Sequence, residues 1–207
     1  VGLLPSVLRE LAMPVSSQTL VFSKTSLQSR VITPRTPRAI YFNDTVYVGY
    51  VPDGTLLELA AVDPRAGAVF YTISQAPGAR PRLVTNADCV QCHATPSTLG
   101  LPGFLLRSVF ARPDGQVVPR TSSFITDHRS PIRTRWGGWY VTGAVSGSTH
   151  MGNAFLRAGE DEASFVRAER PSPASLSQIE HARYPAPHSD VVALLVLDHQ
   201  AHMHNLI

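Results

Sequence analysis

Five consecutive residues constrain this chain more than any other feature: Cys89-Val90-Gln91-Cys92-His93. The run supplies two thiols able to add covalently to the two vinyl groups of a haem, and an adjacent imidazole able to reach its iron as proximal ligand. The sequence holds 2 cysteines, both in this pentapeptide, so none is left for a structural disulfide elsewhere.

Two other chemistries use a Cys-x-x-Cys pair. A thioredoxin-like dithiol wants its first cysteine at a helix N-terminus after a strand, in a βαβ setting. The preceding residues 78–88, with Gly78, Pro81 and Asn86, do not read as a long apolar strand. A zinc site needs two further ligands, which the chain's scattered histidines can supply. We expect one covalently attached haem c. Its attachment takes place outside the bacterial cytoplasm, which places the protein in the periplasm or beyond.

A length of 207 residues allows one core, or one core with a helical extension. We expect a single haem-binding domain over residues 1–207, with residues 154–207 as a helical extension packed on it. Hydrophobic content of 43% suits a globular chain, not a disordered one. The formal charge of +3 is modest, two haem propionates would bring it nearer neutral, and no basic groove suits nucleic acid. No run approaches the ~20 apolar residues that span a bilayer. The chain opens at Val1 without a charged leader and ends at Leu206-Ile207 inside an expected helix. We read it as mature, or as a piece of something longer.

Residues 3–11 read as weakly helical, stopped near Pro14. Residues 16–31 alternate poorly, and residues 33–38 read as irregular. Residues 39–42 and 46–50 flank Asn43-Asp44-Thr45 as two strands around a tight turn, and residues 56–62 and 68–74 continue the strand character. The motif starts a short helix ended by Pro96 and the Gly100-Leu101-Pro102-Gly103 cluster. Residues 104–111 and 116–118 suggest a hairpin around Pro113-Asp114-Gly115, and residues 139–144 a further strand before the polar loop 146–149. A charged helix over residues 160–170, broken by Pro171 and Pro173, precedes a short helix over 175–183. The best helix runs from Asp190 to Asn205 with Ser189 as cap. The fold expected is α+β: an antiparallel sheet-containing haem domain with peripheral helices and a C-terminal helix, unlike the all-helical small cytochromes.

A second iron ligand must be Met, His, water or nothing, and the choice separates electron transfer from chemistry. Met151 and His150 are adjacent, so in extended backbone they cannot both face the iron. We take Met151 first, then His150, with His128, His199 or an open position as alternatives. Arg129, Arg133 or Arg135 suit a haem propionate, and Asp127 suits orienting His128. Trp136, Trp139 and Tyr140 suit a haem wall, although only one of Trp139 and Tyr140 can touch the ring if they lie on a strand. On the last helix, His199 and His202 share a face without any specific metalloenzyme spacing.

Cys89, Cys92 and His93 resemble the haem-attachment sequence of c-type cytochromes. More widely, the chain resembles poorly characterised bacterial secreted proteins with a single cytochrome c motif. That likeness runs through Pro37-Arg38-Ala39-Ile40-Tyr41-Phe42-Asn43-Asp44, Asp127-His128-Arg129-Ser130-Pro131, Trp136-Gly137-Gly138-Trp139-Tyr140-Val141-Thr142-Gly143 and His150-Met151-Gly152-Asn153. It implies one integrated haem domain and no specific activity. The functional expectation is a periplasmic single-haem electron carrier with a redox partner protein. The alternatives are a haem enzyme acting on peroxide or a small nitrogen or sulfur compound, or a haem-based gas or redox sensor.

Overall fold

The computed structural model of the chain describes residues 2–119, 121–145, 148–167 and 176–206. In chain order the main elements are α1 (Leu4–Glu10), β1 (Thr19–Val21), β2 (Arg38–Phe42), β3 (Val46–Tyr50), β4 (Leu56–Asp63) and β5 (Gly67–Ser74). There follow β6 (Leu83–Thr85), α2 (Val90–His93), β7 (Leu106–Val109), β8 (Ser123–Thr126), β9 (Trp139–Tyr140), α3 (Glu162–Arg167) and α4 (Val191–His204).

Seven strands form one antiparallel sheet in the order β6-β5-β4-β3-β2-β1-β9, and β7 pairs with β8 in a small second sheet. The fold is therefore α+β with helices around an antiparallel sheet and a helix at the C-terminal end. Successive strand side chains point to opposite faces. Ala39 and Tyr41 of β2 accordingly enter one core, with Val48, Leu57, Tyr140 and Leu4 of α1. Phe42 enters the other, with Val21, Tyr47, Phe70, Trp139 and Leu194 of α4.

Several local expectations shift. Strand β1 lies between β2 and β9, although residues 16–31 show no alternation. A strand of three residues, all buried, is too short to show a period. The strand expected over 139–144 stops at Tyr140, and Thr142 instead makes an isolated parallel bridge with Asp190, next to Gly143 at φ +90°. The hairpin around Pro113-Asp114-Gly115 forms, closed by Gly115 N donating to Arg112 O at 2.8 Å and paired at the antiparallel Ala111–Val117 bridge, and β7 with β8 continues the pairing further out.

Asp190, not Ser189, caps α4, its carboxylate accepting from the amides of Val192 and Ala193. Ser189 sits one residue too early. Its hydroxyl donates to Tyr140 O at 2.6 Å and accepts from Leu20 N at 2.9 Å, tying the helix start to the sheet. The breaks expected at Pro171 and Pro173, the helix start at Ser175, part of the 146–149 loop and Ile207 lie outside the described residues. Among the described residues, no helix is long and apolar enough to cross a membrane.

Candidate cofactor site

The face of the sheet that packs on α4 also floors a cavity of about 490 Å³, within the roughly 300–1,000 Å³ usual for cofactor sites. Alternate residues from neighbouring strands make the floor: Val21, Ile40, Gly49, Ala60, Phe70 and Trp139. Leu197 and Ala201 of α4, Phe104 and the Cys89–His93 segment close over it.

His93 ends α2 and is held by Gly103 through both its side chain and its carbonyl. Its Nδ1 lies 2.9 Å from Gly103 O, and Gly103 N donates back to His93 O at 2.9 Å. With Nδ1–H donating to a carbonyl, the lone pair stays on Nε2, the arrangement that metal-ligating histidines adopt. The Phe70 ring packs 4.7 Å from the imidazole, and burial holds the His93 pKa below its ordinary value. The neutral form able to ligate a metal is therefore favoured.

Gly103 is itself fixed from α4. Asn205, just past the helix end, accepts from Phe104 N and donates to Phe104 O, both at 2.7 Å. A Cβ on Gly103 would sit 2.7 Å from Thr98 Cγ2 and 2.8 Å from Asn205 Oδ1, so only glycine allows this approach.

Both cysteines are free and line the cavity, Cys89 half-buried and Cys92 exposed. Burial pushes the Cys89 thiol above its ordinary pKa. Reactive dithiols need the opposite shift. The preceding strand, β6, is three exposed residues at the sheet edge, and α2 has four residues, so the βαβ setting of a redox dithiol is not what surrounds this pair. Among the described residues, no group of three or more His, Cys, Asp or Glu is disposed to hold a metal ion. Zinc takes four ligands from its surroundings, whereas a haem brings four nitrogens of its own and asks the chain for one.

The other sequence candidates divide sharply. Trp139 lines the cavity and its Nε1 donates to Arg107 O at 2.8 Å, while Tyr140 enters the opposite core. Met151 and His150 are not brought to the cavity. Met151 is buried with Phe110, Leu156 and Phe165, its sulfur 3.6 Å from Ser108 Oγ. His150 packs edge-on against Trp136 and its Nδ1 accepts from Gly152 N at 3.1 Å. Residues 150–153 are tied instead to the far side of β9, through Asn153 Oδ1 and Nδ2 to the Val141 backbone.

Arg129 is exposed and spends its guanidinium on Asp127 at 2.6 Å. Its own neighbour two residues away is a better partner than a distant carboxylate. Arg135 is buried beneath α4, paired with Asp198 at 3.3 Å. The rings of His128 and His199 meet at 4.7 Å on the surface, and His204 Nδ1 lies 2.8 Å from Tyr47 Oη.

Arg38 and Glu58, two of the charged residues lining the cavity, form a pair that no sequence motif marks. Arg38 starts β2 and reaches across β3 to Glu58 of β4, Nη2 to Oε2 at 2.7 Å. The crossing passes over Gly49, where a Cβ would lie 2.7 Å from Nη2. Neither the partner nor the gap is visible without the strand register that sets Gly49 against Glu58.

These residues fit a tethered porphyrin: two thiols in the cavity lining, an oriented imidazole with a free nitrogen, and a largely apolar floor. No known protein family, curated protein or solved structure matches the chain. The site alone carries the functional reading.

Proposed function

We propose that this chain is an exported single-haem c-type cytochrome that transfers electrons, holding one haem through Cys89 and Cys92 with His93 as proximal ligand. The observation that carries the reading is one imidazole, already locked to Gly103 O through Nδ1, lining the same cavity as both free thiols. A bound haem supplies a reversible one-electron couple, tuned by axial ligand and surroundings. Gly103, positioned by Asn205, keeps the imidazole in the right tautomer. Ile40, Phe70, Phe104 and Trp139, which line the cavity, would exclude water from a ring held there.

The surface beside the motif suits docking of a redox partner. Leu83 and Val84 precede it, each 56% exposed, and Leu99 and Leu101 follow it at 89% and 65%. Leu99 even holds a left-handed backbone, φ +56°, which disfavours a leucine locally. Exposed apolar side chains around a haem edge are the kind of surface that docks another protein briefly.

One observation favours a second reading, haem chemistry on a small ligand. Apart from His93, no imidazole or thioether lines the cavity among the described residues. The side of the iron away from His93 would then be open to exchange.

Maturation in a host competent for covalent haem attachment tests the proposal. The protein mass is expected to rise by one haem, and the thiols to disappear from alkylation assays. Unmodified, titratable thiols in the matured protein overturn it. Low-spin six-coordinate iron in both oxidation states supports the carrier, whereas high-spin ferric iron that binds carbon monoxide rapidly on reduction supports ligand chemistry. Met151→Leu conserves core volume at a cost under about 1.5 kcal/mol. It is expected to leave the axial bands unchanged; their displacement would put the thioether on the iron.

A further inference from the structure

We infer that Arg38 is the anion anchor of the cavity, taking either a propionate of the haem or a small free anion bound beside it; this rests on haem being the occupant. The guanidinium has five donors in a planar fork suited to carboxylates. Among the described residues its guanidinium pairs with Glu58, reached through Nη2. Nε is buried without an acceptor among the described residues, so Glu58 alone does not satisfy the guanidinium, and a ligand in the cavity reaches only the part of the fork that stays accessible.

The surroundings prepare the fork for an acceptor. Glu58 Oε1 accepts from Gln28 Nε2 at 3.0 Å, and Gln28 is itself bonded to the Leu56 backbone in both directions. The carboxylate is therefore pinned, and it pins the arginine flat over Gly49 along the cavity floor. About a quarter of the Arg38 side chain remains accessible, at 24%. Charge favours the same occupant. Arg38 and Arg107 line the cavity against the single carboxylate of Glu58, which leaves an excess of positive charge facing an anionic group.

A structural ion pair and an anion anchor respond oppositely to loss of the two partners. The test uses the haem-loaded full chain, with haem content measured in each variant, and compares Arg38→Gln with Glu58→Gln. If the acceptor is a propionate, Arg38→Gln is expected to lower the midpoint potential, shifting the ferrous-to-ferric ratio about tenfold, or about 59 mV for one electron. Glu58→Gln, which removes the competing carboxylate, is expected to raise it. If the acceptor is a free anion, the same two variants are expected to weaken and tighten azide binding to ferric iron, each by about tenfold, or about 1.4 kcal/mol.

Equal losses in both variants, or no change in potential and azide affinity in either, overturn the anchor while leaving the haem reading standing. A wild-type chain that matures without haem overturns both. Where Arg38→Gln fails to accumulate, Glu58→Gln alone decides. A rise in potential or azide affinity supports the anchor, and a fall or no change overturns it.

Discussion

His93→Ala is expected to cut the yield of spectroscopically normal holoprotein by about 100-fold or more. Loss of a group that merely orients a metal-bound histidine typically costs about 10–100-fold in metal affinity, and here the ligand itself is removed. The fold should survive. The imidazole makes one hydrogen bond, to Gly103 O, worth about 1 kcal/mol net. Its ring sits at the cavity wall beside Phe70 and not in the centre of a core. Haem per chain from the pyridine complex, far-ultraviolet dichroism and the Soret band measure the three quantities together. Exogenous imidazole is expected to restore a near-normal spectrum in whatever fraction carries haem, because the pocket behind the lost side chain can admit it. Normal haem loading with an unchanged axial spectrum in His93→Ala would remove His93 from the iron and leave the site without an assigned ligand.

The contrast between His93 and the remaining candidates follows from how far each depends on distant chain. The Cys-x-x-Cys-His run is local, and residue type and spacing alone carry the haem reading proposed for it. The hairpins around Asn43-Asp44-Thr45 and Asp63 to Gly67 are local too, so β2 to β5 fall close to where alternation puts them. Opposite facing of Trp139 and Tyr140 is likewise a property of the backbone and holds. Arg38, Gly49 and Glu58 become one unit only when three strands are in register. Asn205 acts on Phe104 across 101 residues of sequence. Residue type makes Met151 and His150 axial candidates, and residue type says nothing of which side of β9 the 150–153 loop folds against. Asn153 settles that by closing a two-bond clamp on the Val141 backbone.

Asp198→Ala is expected to destabilise the protein by about 3 kcal/mol at pH 7, the lower end of the 3–5 kcal/mol range for breaking a buried ion pair from one side. For a chain of this size that is a fall in Tm of about 6–12 °C. Asp198 is fully buried and its Oδ2 takes both Arg135 Nη1 at 3.3 Å and Trp136 Nε1 at 3.0 Å. Removing it leaves a buried guanidinium and a buried indole N–H without this acceptor. Arg135 keeps the carbonyls of His128 and Ser130, which holds the loss at the low end. The same carboxyl gives a pH signature. Burial pushes its pKa up to about 6 from 3.8, against the opposing pull of Arg135 and Trp136. The folded state therefore holds this proton more tightly than the unfolded one. Its contribution to stability is fully present below about pH 4 and declines as pH rises to about 6, by about 3 kcal/mol. Asp127, held near 2 mainly by Arg129, works the other way and loses its contribution as pH falls from about 4 to 2. Subtracting the Asp198→Asn profile from the wild-type profile separates the two, since only the decline between about pH 4 and 6 should vanish. Denaturant titrations across pH 3–8 read it directly. A stability loss below about 1 kcal/mol in Asp198→Ala would show that the pair does not brace α4, and an unchanged profile in Asp198→Asn would show that Asp198 is not the group titrating between about pH 4 and 6. The brace matters beyond stability. Leu197 and Ala201 line the cavity from the same helix, and Asn205 at its end positions Gly103 and, through it, His93. Loosening α4 at Asp198 should therefore broaden the haem spectrum before the chain unfolds.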